Sequence, residues 1–432
     1  MAHVFDRPVC RDKLVFFCTG IGLLLLCRDV LSVPVSRIFF LLVVFAALVC
    51  LDAEETRLFV FFLMPLYAGL PGNYITVLLI GKLLFLALSN PDRFRISVSC
   101  AVCSVFFAAY VFIQNLSLGY VSTYHFAFCA EILLLMLLVS DGSPIPLRHM
   151  TELYSASVLI SGICALFVCA GENSFSDILT GAVRFGDVYG TGGMRMTLDP
   201  NFLGFSCLSG IAAHAELLRR LFASGKEKEN RRGVFVSLFF IVSLGFFGLI
   251  GLSRTFFVCA AVLLLFELTA CARTPRMLVR CLLFLSLSAV FAFAAVSVFL
   301  PELVKTAVSR FQSADLAGAN GRVTLIKEWG SAWMSSAGAL MFGVELFHTN
   351  VHFTALQYVF GLGIVGCILV FALFSLFVRG IGFSLRKSGK IPISTAVLMS
   401  CAVPAACSLS ALFPLVFALY ASAGLACSPD DG

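Results

Sequence analysis

Residues 301–352 read PELVKTAVSRFQSADLAGANGRVTLIKEWGSAWMSSAGALMFGVELFHTNVH. This stretch is the longest polar interruption in a chain that is otherwise a succession of apolar runs, and it contains both tryptophans, Trp329 and Trp333. Long apolar runs on either side are typical of helices that cross a bilayer. We therefore expect the stretch to be a loop at one face of a membrane, held there by the helices before and after it.

The composition excludes a soluble globular protein. Hydrophobic residues make up 60% of the 432 residues and charged residues only 12%, and the mean hydropathy is +1.00. The 17 cysteines do not suggest a disulfide framework, because none lies in the long polar segments. Cys100 and Cys103 form a CxxC pattern inside an apolar run, where small buried hydrophobes are expected rather than a zinc or redox site.

The apolar runs predict an all-α polytopic membrane protein. A spanning helix needs about 20 apolar residues, and several runs are shorter, so we expect about 12 to 14 transmembrane helices in one membrane domain over residues 1–432. The predicted runs are 14–33, 37–51, 58–71, 74–89, 97–114, 122–139, 152–171, 199–222, 234–252, 256–272, 281–300, 354–378, 391–412 and 413–427.

Lysine and arginine in the short loops predict the orientation, since such residues concentrate on the inner side. With Met1 inside and an uncleaved first helix, nearly all loop basic clusters fall on inward loops, for example 224–232, 273–280 and 379–390. Two long segments then face outward, 172–198 and 301–353, together with a tight turn at Ser253-Arg254-Thr255. We expect these outward loops to form the active face.

Two sequence patterns predict helix starts on the outer side. Asp199-Pro200-Asn201 has an acidic cap followed by proline at the first helical position. Capping alone accounts for these residues, and a direct role in a site is the alternative. After Asn320-Gly321, residues 322–335 predict an amphipathic helix that carries the tryptophan pair. That helix either lies along the outer leaflet or packs on the bundle.

Outward arginines are the charges that the positive-inside rule does not explain. They are Arg184, Arg195, Arg254, Arg310 and Arg322. Arg254 lies in a turn too short to leave the bilayer surface, and snorkelling is the simple explanation for it. The convergence of several arginines on one face makes a bound anion the functional explanation, because guanidinium groups bind phosphate oxygens in a bidentate manner.

A few ionisable residues lie within the predicted spans. Lys82 and Glu131 lie at similar depths, so we expect them to form a structural ion pair or to face the bundle interior. His125 and His214 stand on apolar helices, where hydrogen-bonded core histidines are expected rather than ligands.

Three motifs on the outward side resemble the superfamily of O-antigen ligases and O-antigen polymerases. Leu198-Asp199-Pro200-Asn201-Phe202 is similar to the DPN helix start of that family, and Gly251-Leu252-Ser253-Arg254-Thr255 is similar to its GxSR turn. The third motif comprises Gly321-Arg322 and then His352-Phe353, nine residues, and Gly363-Ile364-Val365-Gly366. The resemblance covers roughly the C-terminal half, while the N-terminal helices match only in hydropathy.

The resemblance implies a membrane glycosyltransferase of the GT-C type that uses a polyprenyl-diphosphate-linked donor. Arg254 and Arg322, helped by Arg184, Arg195 and Arg310, would bind the diphosphate. His352 would be the catalytic base, with His348 as its substitute and with Asp199 and Asn201 in support. No paired acidic motif lies in the outward segments, so we expect metal-independent catalysis without a cofactor. The resemblance implies an inverting reaction.

Three functions follow, in order of preference. The first is a polymerase of O-antigen, capsule or exopolysaccharide in a bacterial inner membrane. The second is an O-antigen ligase that transfers glycan to lipid A core, which Phe353 disfavours because the ligase pattern has a small polar residue there. The third is a flippase or transporter of lipid-linked oligosaccharide. The expected partners are a polyprenyl-diphosphate-linked oligosaccharide, an acceptor glycan, membrane lipids, and a chain-length regulator or flippase protein, with no nucleic acid.

Overall fold

The computed structural model of the chain describes residues 12–92, 94, 98–117, 123–140, 145, 147–183, 195–196, 198–223, 230–271, 279, 282–283, 286, 290, 301–312, 322–344 and 354–388. The helices in this part are α1 (Asp12–Asp29), α2 (Arg37–Cys50), α3 (Ala53–Leu63), α4 (Gly72–Ser89), α5 (Val98–Ser117), α6 (Thr123–Ser140), α7 (Leu147–Glu172), α8 (Phe175–Thr180), α9 (Pro200–Ala223), α10 (Arg231–Ile250), α11 (Arg254–Cys271), α12 (Pro301–Gln312), α13 (Arg322–Trp333), α14 (Ala337–Phe342) and α15 (Thr354–Ser388). A 3-10 helix, Met64–Gly69, continues α3.

The described part is helical, in agreement with the composition. Five of its helices are long and apolar enough to cross a membrane: Gly72–Ser89, Val98–Ser117, Arg148–Glu172, Arg231–Ile250 and Leu356–Leu373. This is consistent with a polytopic membrane protein. Every predicted run from 14–33 to 256–272 coincides with a helix, and so does 354–378. The runs 391–412 and 413–427, and most of 281–300, lie outside the described residues.

Local sequence explains where several helices begin. Asp52 caps α3 in a capping box, because its side chain accepts the N–H of Glu55 at 2.9 Å while the Glu55 carboxylate accepts the N–H of Asp52 at 3.0 Å. Ser36 caps α2 through its side chain, and Asn230 caps α10 in the same way. These caps satisfy helix amides that have no partner inside their own helix.

Helix α9 is central to the packing, since it contacts α7, α10 and α11. Helix α7 extends this body toward the N-terminus by contacting α1 and α3, and α15 returns from the C-terminal half to pack on α5 and α6. Phenylalanine fills much of the core, and the side chains of Phe40, Phe59, Phe61 and Phe107 are fully buried. The two halves of the chain therefore share one set of packed helices.

Contacts between loops agree with the predicted sides. On the predicted inner side, Arg148 Nη1 lies 3.5 Å from Asn230 Oδ1. On the predicted outer side, Thr306 donates its hydroxyl hydrogen to the carbonyl oxygen of Thr180 at 2.8 Å. In both cases, the two residues that are in contact were predicted on the same side of the membrane.

Polar residues inside the bundle have specific partners. Lys82 donates to the carbonyl oxygen of Leu51 at 2.9 Å, at the C-terminal end of α2, where a helix dipole favours a cation. The side chain of Glu131 lies outside the described residues, so the ion pair between Lys82 and Glu131 stays a prediction. Arg219 pairs with Glu216 and lies 3.8 Å from Glu267.

His214 is a core histidine, as its apolar helix predicts. Its two ring nitrogens lie 3.1 Å from Ser155 Oγ and 3.2 Å from Ser237 Oγ, and its ring stacks on Phe240. The imidazole is fully buried and bridges α7, α9 and α10. The corresponding prediction for His125 falls on a side chain outside the described residues.

Candidate functional site

The first part of the candidate site is the start of α9. Asp199 accepts the backbone N–H of Asn201 at 2.7 Å and that of Phe202 at 3.4 Å, and Pro200 occupies the first helical position. The predicted helix start is thus confirmed. The carboxylate satisfies amides that would otherwise be without partners, which is why this residue type is favoured there.

The second part is the turn between α10 and α11. Helix α10 ends at Ile250, and Leu252 adopts a left-handed conformation with φ 49° before Arg254 opens α11. A non-glycine residue rarely adopts this conformation, so the surrounding contacts hold it there. Leu252 and Ser253 are buried, with 2% and 1% of their surface exposed.

One hydrogen bond joins these two parts. Ser253 donates its hydroxyl hydrogen to Asn201 Oδ1 at 2.6 Å, although the two residues are 52 positions apart. The same hydroxyl oxygen accepts the N–H of Phe256 at 3.4 Å, so Ser253 also caps α11. The residue that opens α11, Arg254, is therefore placed beside the first turn of α9.

Glycines bring the three helices close around the Phe256 ring. A Cβ on Gly248 of α10 would overlap that ring, and a Cβ on Gly204 of α9 would lie 3.1 Å from the Cβ of Phe256. Close packing of this kind needs residues without side chains. The position of α11 relative to α9 is thus set by packing as well as by the Ser253 hydrogen bond.

The two long outward segments meet at this turn. Gly181, which follows α8, has φ 74°, and a Cβ there would lie 2.7 Å from Leu252 Cδ1 and 3.0 Å from Thr306 Cγ2. Thr306 belongs to α12 and bonds the carbonyl of Thr180. Segments 172–198 and 301–353 are therefore in contact with each other and with the turn that carries Arg254.

The backbone at the junction of α9 and α11 contributes partial positive charge. The N-termini of α9 and α11 lie side by side, and each helix N-terminus carries a partial positive charge. Asp199 offsets the first, while an arginine opens the second. Chemically, such a junction suits an anion, because backbone amides and a guanidinium group both donate to phosphate oxygens.

A separate junction lies where α13, α14 and α15 meet. Trp333 donates its indole N–H to the carbonyl of Leu340 at 3.1 Å, and its ring centroid lies 5.6 Å from that of Phe360. Trp333 therefore contacts α15, and a position of α13 along the outer leaflet stays a prediction. The helix itself ends at Trp333, two residues before the predicted end.

Helix α15 is interrupted at Gly363, which has φ 65°. Gly343, just after α14, has φ 82°, and its backbone lies against this interruption, so that a Cβ on Gly343 would be 2.7 Å from Gly363 N. Gly366 leaves room for Tyr110, whose ring carbon Cε1 would be 2.7 Å from a Cβ there. In the GxxG pattern, Gly363 thus adopts a positive φ, and Gly366 allows the Tyr110 ring to pack close to the helix backbone.

The predicted site residues are described to different extents. Arg195 is exposed ahead of α9. Arg254, Arg310 and Arg322 lie in helices, at the start of α11, within α12 and at the start of α13, but their side chains are outside the described residues. Arg184, His348 and His352 lie outside the described residues altogether. The structure brings together Asp199, Asn201 and the backbone of Arg254, and the meeting of the arginine side chains stays a prediction.

Sequence reasoning missed the contribution of α5. Gln114 donates to the carbonyl oxygen of Gly361 at 2.7 Å and to that of Phe342, and the hydroxyl of Tyr110 lies 2.5 Å from the Leu362 carbonyl and 3.0 Å from that of Phe342. Tyr110 and Gln114 are one turn apart in an apolar helix. Two polar residues at this spacing share one face of the helix, and this pattern could have indicated that the face has polar partners.

Comparisons with known proteins add no relative. No family model matches the chain, and no curated protein or solved structure matches it either. The resemblance to O-antigen ligases and polymerases therefore rests on the three motifs alone.

Proposed function

We propose that the protein is a membrane glycosyltransferase of the GT-C type that polymerises O-antigen, capsule or exopolysaccharide. It would transfer a polyprenyl-diphosphate-linked glycan onto a sugar hydroxyl at the outer, periplasmic face of a bacterial inner membrane. The turn that carries Arg254 and the first turn of α9 form the floor of the proposed donor site.

The observation that carries the proposal is the hydrogen bond from Ser253 to Asn201 at 2.6 Å. It joins two motifs of the resemblance that are far apart in sequence, and each contributes a helix N-terminus to the junction. A chance match of two short patterns gives no reason for their residues to bond each other. Anion binding at paired helix N-termini is the chemistry that a diphosphate requires.

The proposed reaction is an inverting displacement. The acceptor hydroxyl oxygen attacks the anomeric carbon of the donor while the bond from that carbon to the diphosphate oxygen breaks, and the diphosphate leaves with the electron pair. Arg254 and Arg322 would stabilise the growing negative charge, an effect typically worth about 3 kcal/mol per donor. His352 would take the hydroxyl proton, which suits a group with an ordinary pKa near 6.5.

Replacement of the two central residues tests the proposal. The variants Arg254→Ala and His352→Ala are expected to insert normally yet to fail to lengthen glycans, with lipid-linked repeat units accumulating on the outer leaflet. Arg254→Lys keeps the charge without the bidentate geometry and should retain partial activity. Glycan length is read on gels, and the leaflet is read by accessibility of the repeat unit to an added glycosidase.

Arg148→Ala is the matched control, because it removes an arginine from the predicted inner face, where Arg148 pairs with Glu152 at 2.9 Å. It should polymerise normally. Normal polymerisation by both Arg254→Ala and His352→Ala would show that the site assignment is wrong.

One observation favours a second candidate, a flippase or transporter of lipid-linked oligosaccharide. Helices interrupted within the membrane are common in transporters, and α15 is interrupted at Gly363. The same leaflet measurement separates the candidates. Repeat units trapped on the inner leaflet in the Arg254→Ala and His352→Ala variants would favour transport, whereas trapping on the outer leaflet favours the polymerase.

A further inference from the structure

The outward segment 301–353 contains an uncharged stretch. Residues 329–344 read WGSAWMSSAGALMFGV, and no charged side chain lies between Glu328 and Glu345. The stretch is too short to cross a bilayer, which takes about 20 apolar residues. Short stretches of this kind are typical of re-entrant segments, which enter the membrane without crossing it. Helix α14, Ala337–Phe342, lies in its second half.

The contact of α14 with α15 indicates the depth of this stretch. A Cβ on Gly363 would lie 2.6 Å from the carbonyl oxygen of Met341, and Val344 donates its N–H to the carbonyl oxygen of Phe360 at 2.9 Å. The part of α15 that is long and apolar enough to cross a membrane is Leu356–Leu373. Gly363 lies seven residues inside it, or about 10 Å along the helix at 1.5 Å per residue. The end of α14 is therefore level with the apolar interior of α15 and not with its outer end.

Helix α5, which runs outward in the predicted orientation, gives the same depth independently. The hydroxyl of Tyr110 lies 3.0 Å from the carbonyl oxygen of Phe342 and 2.5 Å from that of Leu362. Tyr110 lies seven residues before Ser117, the last residue of α5, which is again about 10 Å along the helix. Two helices that run in opposite directions thus place the end of α14 below the outer surface.

Backbone carbonyls near the end of α14 are bonded by side chains of other helices. Gln114 of α5 donates to the carbonyl oxygen of Phe342, and Trp333 of α13 donates its indole N–H to that of Leu340 at 3.1 Å. No water is available in the bilayer core, so backbone groups there need partners within the protein. The contacts of α14 meet that requirement.

The exposed side chains at this junction are apolar. Met341 and Phe342 expose 40% and 55% of their surface. On α15, Ile364 directly follows Gly363 and is exposed, as are Ile368 and Phe371 on the same face of the helix. Apolar surface at this depth is stable among acyl chains and unfavourable in water. Lipid chains are therefore the partner that fits this surface.

We propose that α14 is a re-entrant segment, in which Met341 and Phe342 contact the acyl chains of outer-leaflet phospholipids. The hydropathy pattern predicts a loop at the membrane face for all of 301–353, whereas α14 enters the leaflet. Trp333 then lies near the interface, where tryptophan is enriched. This contact with lipid does not depend on the reaction proposed above.

Photo-crosslinking in vesicles of phosphatidylethanolamine and phosphatidylglycerol, without donor substrate, tests the contact. The photoreactive residue benzoylphenylalanine replaces Phe342 in the full-length protein, and mass spectrometry measures the fraction of the peptide that carries a phospholipid adduct. Phe371, exposed on α15, is the lipid-facing reference, and Glu328, exposed on α13, is the control. We expect the yield at position 342 to be within about threefold of that at 371 and at least about tenfold above that at 328, because hydrocarbon excludes charged residues.

A charge at the same depth gives a second measurement. Met341→Asp should melt at least about 5 °C below Met341→Ala in the same vesicles, because a carboxylate within hydrocarbon is costly. The comparison with alanine separates the charge from the loss of packing. Thr324 is exposed on α13, so Thr324→Asp should melt within about 2 °C of Thr324→Ala.

The outcomes separate lipid from water and from protein. Absence of phospholipid adducts at position 342, with adducts present at 371, overturns the proposal. Adducts of position 342 with a second copy of the chain identify that copy as the partner and also overturn it. Equal effects of aspartate at positions 341 and 324 would show that α14 lies in water.

Discussion

Two junctions on the predicted outer side are built in opposite ways. At the junction of α9 and α11, side chains make the decisive contacts: Ser253 bonds Asn201, and Asp199 caps α9. At the junction of α14 and α15, backbone meets backbone at Gly343 and Gly363, and side chains reach it from α5 and, through Trp333, from α13. Side-chain contacts can be lost one at a time, whereas touching backbones leave no room for any Cβ. The second junction should therefore be far less tolerant of substitution.

The largest effect is expected at the touching glycines. Gly343→Ala or Gly363→Ala places a Cβ against backbone atoms at a residue with positive φ, and neither backbone can rotate away. We expect each to lower stability by about 2–4 kcal/mol. A thiol-reactive dye that reports exposure of buried cysteines such as Cys164 and Cys207 during heating gives the measurement.

Gly338→Ala in α14 is the matched control, because the nearest atom to its Cβ is Ser336 Oγ at 3.8 Å. It should melt within about 1 °C of the wild-type protein, in line with the small effect of most unconstrained substitutions. Equal melting temperatures for Gly343→Ala and Gly338→Ala would contradict the backbone contact.

A smaller effect is expected at Gly181, where the two outward segments meet. Its positive φ disfavours alanine, but the atoms around it are side-chain ends of Leu252 and Thr306, which can move. We expect Gly181→Ala to lower the free energy of unfolding by about 1–2 kcal/mol, as judged by the same melting measurement. Gly171→Ala, with nothing within 4 Å of its Cβ, should have little effect, and a reversed order would contradict the contact between segments.

The smallest effect is expected for the hydrogen bond between Ser253 and Asn201. Ser253→Ala and Asn201→Ala should each destabilise by about 1 kcal/mol, and the double variant by less than the sum, because both delete the same bond. A double-mutant cycle measured by melting gives the coupling. Strict additivity would show that the two motifs do not interact, which would also remove the main support for the proposed donor site.

Only those parts of the candidate site whose structure depends on residues close in sequence could be predicted. Asp199-Pro200-Asn201 predicts a helix start because cap and amides lie within one turn, and α9 begins there. The left-handed Leu252 has no such local signal, since the residue that its side chain packs against, Gly181, is distant in sequence. Likewise, the sequence predicted that Ser253 and Asn201 lie on the same side of the membrane, but not that they are in contact. Hydropathy predicts the depth of a residue in the bilayer, and not its position in the plane of the bilayer.

By itself the sequence determined the helical class, the approximate bounds of α1 to α7, of α9 to α11 and of α15, and the grouping of loops on two sides, whereas α8 was not predicted. These follow from hydropathy, caps and charge, each of which acts over a few residues or through the bilayer as a solvent. Only the tertiary structure decided that α5 supplies Tyr110 and Gln114 to carbonyls of α14 and α15, that Lys82 bonds Leu51, and that Trp333 packs on Phe360. The physical reason is that a backbone carbonyl has the same chemistry at every position in the sequence. Which carbonyl needs an external partner is known only once the helix that should satisfy it is seen to break.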